Sequence, residues 1–248
     1  MARLPRDLIV RYGHQNTPIS LIFLHPGMGA KETWGRFPEL LCQKLATSGL
    51  AYTRPEYEKR DGTVHLPLDF MKREANRLEA ILSDLRIEKP ILIGSSDGAS
   101  IALEFAAAFP NRARCVVSMA AHVNIDPIVV SALTRLRNET LANPTPNWLI
   151  SQFGEDAIPT AMAWCDTWTA LVAESWSMEE QLSKIDCPVL AMQGTEDKNG
   201  HIDQLHSITA RIRDCETSVL RGLGHFPYRE EPEHIADSIA VYLRRKIA

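Results

Sequence analysis

The chain has 248 residues, 45% hydrophobic and 23% charged, enough for one large core with an insertion; its net charge of −4 and scattered cations argue against nucleic acid as a partner. Five cysteines, odd in number and never in C-x-x-C spacing, suggest neither a disulfide framework nor a zinc site, so a reducing, cytoplasmic setting is expected. Met1-Ala-Arg-Leu-Pro5 lacks an apolar signal core, and no stretch approaches the roughly 18 apolar residues of a membrane span, so neither secretion nor a membrane partner is expected.

Along the chain, Asp7–Tyr12 and Ile19–Leu24 read as strands, the second a continuous apolar run suited to the inside of a sheet. Trp34–Ala46 reads as a helix, and Ala51–Arg54 as a short strand that runs into the charged stretch Tyr52–Asp61. Asp69–Ile87 is predicted to be an amphipathic helix, with Phe70, Met71, Ala75, Leu78, Ile81, Leu82 and Leu85 on one face. Ile91–Gly94 is a strand, and the helix that follows it up to Pro110 is apolar on nearly every side, the mark of a buried helix. Cys115–Ala121, Pro188–Gln193 and Thr217–Leu220 complete the strands. The closing helix begins at Pro232, keeps Ile235, Ile239, Tyr242 and Leu243 on one face, and ends in the cationic trio Arg244-Arg245-Lys246, which suits the helix dipole. Repeated βα units of this length predict an α/β fold with a mainly parallel sheet flanked by helices.

One segment breaks the rhythm. Between His122 and Asp186 there is no clear strand, and four of the five tryptophans fall there. A loop of that length without structure is improbable in a compact domain, so residues 123–186 are expected to form a helical cap on a core made of 1–122 and 187–248. The cap leaves a strand's carboxyl end, where ligands bind in open α/β sheets. Trp148, Trp164 and Trp168 are therefore candidates to touch substrate, the last two sharing a helix face, and His122 and Phe226 are candidates beside them.

The chemistry is carried by four loops. Gly94-Ser-Ser-Asp-Gly98 joins a strand to a helix as G-x-S-x-G, the nucleophile elbow; Gly94 and Gly98 flank Ser96 where strand and helix nearly touch, which makes Ser96, rather than Ser95, the candidate nucleophile. After the Pro188–Gln193 strand comes Gly194-Thr-Glu-Asp197, where Asp197 is the expected acid, with Glu196 and Asp126 as competitors. His225, among glycines before the final helix, is the candidate general base. On His25-Pro-Gly-Met-Gly29 small residues let backbone N–H groups face a developing oxyanion; Pro26 has none to give, so Gly27 or Met28 and, after the nucleophile, Asp97 are the expected donors. The Asp97 carboxylate is expected to turn away from the pocket. His25 itself is a candidate to touch substrate.

This ordered set resembles the α/β-hydrolase superfamily, specifically its small capped esterase and lactonase-like members. The resemblance spans essentially the whole chain and implies the α/β-hydrolase fold with a helical cap inserted after the sixth strand, the triad Ser96, Asp197 and His225, no metal, no organic cofactor, and a small-molecule substrate for a monomer or homodimer. The chain departs from the pattern at Ser95, where a histidine is frequent, at Ala99, where a second glycine is frequent, and at 52–61, which lacks the usual G-x-G-x-S turn and is expected either to shape the pocket differently or to reach a partner. The implied activity is hydrolysis of a carboxylic ester or lactone. Thioester, amide and carbon–carbon bond hydrolysis share the same residues, as do cofactor-independent chemistry that spares Ser96 and a ligand-binding role for the scaffold.

Overall fold

The computed structural model describes residues 8–14, 16–60, 63–142 and 144–247. Seven strands form one sheet in the spatial order β1 (Ile9–Gly13), β3 (Ser48–Tyr52), β2 (Ile19–Leu24), β6 (Ile91–Ser95), β7 (Cys115–Met119), β8 (Val189–Gly194) and β9 (Cys215–Leu220). Only β1 runs antiparallel to its neighbour. Two further strands, β4 (Glu58–Arg60) and β5 (Thr63–His65), pair antiparallel as a separate two-stranded sheet that the sequence pattern did not announce.

The sheet is covered on both faces, and the period-two alternation of its strands assigns each side chain to one cover. Leu21, Phe23, Ile93 and Val117 point toward helix α1 (Phe37–Leu45) and the closing helix (Pro232–Lys246), packing with Trp34, Phe37, Ile235 and Ile239. Ile22, Leu24, Leu92 and Val116 point the other way, toward α2 (Phe70–Asp84) and α3 (Asp97–Ala108), where Leu78, Leu82, Leu103 and Phe105 meet them. Each such aliphatic side chain taken wholly out of water contributes about 1.5–3 kcal/mol, so the two layers are what holds the sheet.

Boundaries differ from the pattern in a few places. Asp7 lies outside the described residues. Trp34 belongs to a single 3₁₀ turn, Lys31–Trp34, before α1 begins. Arg54 falls beyond β3, and α2 ends at Asp84, which leaves Leu85 as a 42%-exposed C-cap rather than a core residue.

Residues 123–186 hold four helices: α4 (Pro127–Leu141), α5 (Asn147–Phe153), α6 (Ala157–Ala173) and α7 (Glu179–Leu182). Asp126 starts α4, its Oδ1 accepting from the amides of Ile128 at 2.8 Å and Val129 at 3.1 Å. These helices follow β7, the fifth strand of the main sheet in chain order, not a sixth, because β4 and β5 stay out of that sheet. α6 carries Trp168 and Leu171 down into the core, where Trp168 meets Phe70 edge-on at 6.5 Å.

The chain steps from β2 outward to β3 and then returns to β6 on the other side of β2. The loops after β2 and β6 therefore part at their carboxyl ends, at a topological switch point where a crevice opens.

Candidate active site

At the end of β6 the backbone turns into α3 through Ser96, held at φ 52° and ψ −124°, a conformation that L-residues adopt only when their surroundings impose it. The imposing atoms are backbone. A Cβ on Gly98 would lie 2.0 Å from the Leu24 carbonyl oxygen, and one on Gly94 2.4 Å from the Gly98 carbonyl oxygen. The Ser96 amide donates to the Met119 carbonyl at 2.9 Å, which ties the elbow to β7.

From there the hydroxyl faces His225, with Ser96 Oγ 2.9 Å from Nε2. His225 Nδ1 lies 2.8 Å from Asp197 Oδ2. All three side chains are buried. Asp197 accepts besides from Gln193 Nε2 at 2.6 Å, from the Asn199 amide at 2.7 Å and from the Gly200 amide at 3.2 Å. Burial works against the Asp197 charge, but the hydrogen bond and charge of His225 and the Asn199 amide outweigh it and hold the carboxyl below its usual range. An ionised Asp197 accepts only, so His225 carries its proton on Nδ1 and presents Nε2 as an acceptor to the hydroxyl. The competitors are engaged elsewhere: Glu196 is exposed, and Asp126 caps α4 while accepting from the His201 amide at 3.0 Å and from Gln204 Nε2 at 2.9 Å.

A cavity of about 490 Å³ opens above these groups. Gly27, Met28, Ser96, His122, His225 and Phe226 line its floor, and Trp148, Trp164 and Trp168 line it from the inserted helices. Trp164 and Trp168 sit side by side with ring centroids 5.8 Å apart, whereas Trp148 is half exposed at the rim. His122 is buried, its Nε2 3.0 Å from the Asn199 carbonyl, and burial followed by the charge of His225 pushes its pKa down, so it is neutral near pH 7. Val129, Leu133 and Leu136 of α4 complete the apolar wall, with Arg135, Glu139 and Arg229 toward the outside.

His25 is not among the residues that line the cavity. It was expected to touch substrate, but its ring is wholly buried behind the loop, Nε2 accepting from the Arg54 amide at 2.9 Å and Nδ1 donating to the Pro26 carbonyl at 2.8 Å. Burial, and then the charge of Arg54, hold its pKa well below the usual histidine value. Asp97 is also absent from the lining. Its carboxylate sits behind Gly27, where Oδ2 accepts from Trp164 Nε1 at 2.8 Å and Trp168 stands as a second donor; burial outweighs both indoles and pushes its pKa up. A Cβ on Gly27 would fall 2.3 Å from that Oδ2 and 2.4 Å from the indole nitrogen, so any larger residue there has to displace the Asp97–Trp164 pair.

Several site residues escape a reading of the sequence. Gln193 and Asn199 hold Asp197 but are ordinary polar residues at a strand end and in a loop. The α4 residues cannot be ranked from periodicity alone, since the helix has apolar side chains on more than one side. Arg54 and Glu56 had only their oddity as a signal, a charged stretch where a glycine-rich turn is usual.

The sequence model of the family described as "Alpha/beta hydrolase family" matches residues 21–237. Comparison with curated proteins finds no match. Among solved structures, a thermophilic esterase from Thermogutta terrifontis is similar at 17% identity, covering 97% of this chain and 93% of that one with a TM-score of 0.71. Est816, an N-acyl homoserine lactone degrading enzyme, is similar at 17% identity over 94% of this chain and 95% of its own, with a TM-score of 0.69. Proline iminopeptidase from Mycobacterium smegmatis is similar at 18% identity over 96% and 94%, with a TM-score of 0.68. At these identities the likeness concerns the fold.

Proposed function

Because the chain belongs to the alpha/beta hydrolase family, we propose that it is a serine hydrolase of the carboxylic-ester class (EC 3.1.1), cleaving an ester or lactone of a small, partly apolar substrate through an acyl-enzyme on Ser96. The observation that carries this reading is the continuous relay from Ser96 Oγ through His225 to Asp197, at 2.9 Å and 2.8 Å, opening into a cavity walled by tryptophan and aliphatic side chains.

In this mechanism Ser96 Oγ attacks the acyl carbon as His225 Nε2 takes its proton, and the carbonyl electrons move onto oxygen. Backbone N–H groups of Gly27 or Met28 and of Asp97 receive the oxyanion; one such donor is worth about 3–4 kcal/mol in the transition state. Collapse expels the alkoxide, which leaves with the proton from His225. Water then repeats the sequence on the acyl-enzyme, giving up its proton to His225 and releasing the acid and Ser96. Asp197 keeps the imidazole in the required tautomer throughout. The helices of residues 123–186 act as the cap over a core of 1–122 and 187–248, and Trp148, Trp164, Trp168, His122 and Phe226 contact the substrate. Among the described residues no helix is long and apolar enough to cross a membrane, and the five cysteines are unpaired, which supports a cytoplasmic setting.

The test is covalent. An alkyl fluorophosphonate is expected to label the wild-type protein and not Ser96→Ala, and short-chain p-nitrophenyl esters or γ-lactones to be turned over only by the former. Labelling that survives Ser96→Ala removes the proposal. Tight capture of an ester analogue with no turnover across esters, lactones and thioesters favours instead a binding protein on this scaffold.

A further inference from the structure

The stretch after β3 takes no part in the relay, yet it holds the most deeply buried ion pair among the described residues. Arg54 and Glu56 have side-chain exposures of 0% and 1%, with Nε 2.9 Å from Oε2 and Nη2 3.4 Å from Oε1. Such a pair is a weak source of stability, because the cost of removing two charges from water offsets most of their attraction. Its effect lies in where the remaining donors go.

They go to the back of the oxyanion loop. Arg54 Nη1 donates to the His25 carbonyl and Nη2 to the Pro26 carbonyl at 3.2 Å. The Arg54 amide donates to His25 Nε2, which leaves the His25 proton on Nδ1, directed at the same Pro26 oxygen at 2.8 Å. The Gly29 amide reaches that oxygen as well, at 3.2 Å. Donors from three different residues thus converge on one carbonyl, and of these Arg54 and His25 lie outside the cavity lining.

A trans peptide is planar, with its C=O and N–H on opposite edges. Fixing the Pro26 carbonyl toward the buried interior therefore fixes the Gly27 N–H in the opposite direction, toward the cavity that Pro26, Gly27 and Ser96 line together. Met28 gains nothing from this anchor, because its N–H belongs to the next peptide. We propose that Arg54, neutralised by Glu56, is the positioning residue of the oxyanion hole and that it makes the Gly27 amide the donor on this side. The inference rests on the serine-hydrolase reading above. Planar, forked donation is what a guanidinium offers and an ammonium does not, so lysine is not an equivalent. Because the aimed N–H acts on charge that appears only in the transition state, Arg54 governs kcat rather than substrate binding.

The experiment compares two ketones of the same chain length, an alkyl methyl ketone and its trifluoromethyl counterpart. The second adds Ser96 Oγ at its carbonyl carbon, passes the proton to His225 and leaves an oxyanion in the hole; the first only occupies the cavity. The principal variant is Arg54→Met with Glu56→Leu, which removes both charges together and so spares the fold an orphaned one. Expected is a fall of about 10- to 100-fold in kcat on a p-nitrophenyl ester, matched by the same loss in trifluoromethyl-ketone affinity, with methyl-ketone affinity unchanged. Arg54→Lys, which keeps a cation opposite Glu56, is the second variant; it is expected to lose kcat and trifluoromethyl-ketone affinity in the same sense, and it decides alone if the double variant does not fold. Either variant folded with both quantities within about twofold of wild type overturns the proposal, as does an equal loss for both ketones. A wild-type protein without Ser96-dependent turnover or trifluoromethyl-ketone binding removes the serine-hydrolase reading and this inference with it, an outcome distinct from an active wild type with indifferent variants.

Discussion

At the elbow, Gly94–Gly98, the backbone shapes itself: carbonyl oxygens of Leu24 and Gly98 stand where Cβ atoms would be, and the positive φ of Ser96 follows from that contact. The loop His25–Gly29, which the elbow touches, is shaped by side chains, its own His25 and others brought from elsewhere. Arg54 and His25 hold its carbonyls, and Asp97 and Trp164 close behind Gly27. A steric joint cannot be loosened by degrees, whereas a polar clamp can be removed donor by donor. The two halves of one site should therefore fail differently.

The largest effect is expected on the steric side. Gly98→Ala places a Cβ 2.0 Å from the Leu24 carbonyl oxygen, and neither β2 nor α3 can retreat without opening the core. A loss of about 3 kcal/mol or more in stability is expected by denaturant titration, together with loss of fluorophosphonate labelling. The Arg54→Met, Glu56→Leu protein, which leaves the His25 carbonyl without its guanidinium donor, should instead lose less stability, about 1–3 kcal/mol, and chiefly lose rate. If Gly98→Ala unfolds at the wild-type denaturant midpoint, the contrast between the two loops is void.

The same contrast explains what was legible beforehand. The elbow announces itself because its determinants lie within five consecutive residues, and the chain order of Ser96, Asp197 and His225 follows from the strand pattern. The clamp is invisible because its partners are far apart in sequence: Arg54 meets His25 and Pro26 from beyond the end of the neighbouring strand β3, and Trp164 reaches Asp97 from the inserted helices. His25 was misjudged for that reason. Its place in the loop suggests the pocket, but the Arg54 amide that captures its ring turns it inward. The α2 face was readable by period until its end, where Leu85 continues the apolar spacing after the hydrogen-bonded turns have stopped.

A smaller effect probes the joint between α6 and the loop. Trp164→Phe keeps an aromatic ring in the cavity wall but strips the buried Asp97 carboxylate of the indole donor at Oδ2. Leaving a buried acceptor unpaired costs about 1–3 kcal/mol, so a stability loss near 2 kcal/mol is expected. Repeating the substitution in an Asp97→Ser background separates the bond from the packing: most of the loss should vanish there, leaving a coupling of about 1 kcal/mol or more. Equal losses in both backgrounds would assign Trp164 to packing alone and detach it from the clamp.

The mildest effect appears only as pH falls. His25 is held neutral in the native protein, its pKa well below the usual value, because its ring is buried and Arg54 stands beside it. Below pH of about 6.5 the unfolded chain takes up a proton at this position and the native chain does not, so stability declines with falling pH by up to about 1.4 kcal/mol per unit. Other buried groups also make stability depend on pH, some with the opposite sign: the carboxyls of Glu56, Glu74 and Asp97 are raised by burial and favour the native state as they protonate, while His122 adds to the decline. The difference between wild type and His25→Asn isolates the one ring. The variant should be less stable at pH 7, where it lacks the bonds to Arg54 and Pro26, and the two stability curves should converge by about 1.4 kcal/mol per unit as the pH falls from 6 to 5. Parallel curves would mean that His25 accepts a proton where it stands, and a protonated ring cannot accept from the Arg54 amide, so that strand of the clamp would have to be withdrawn.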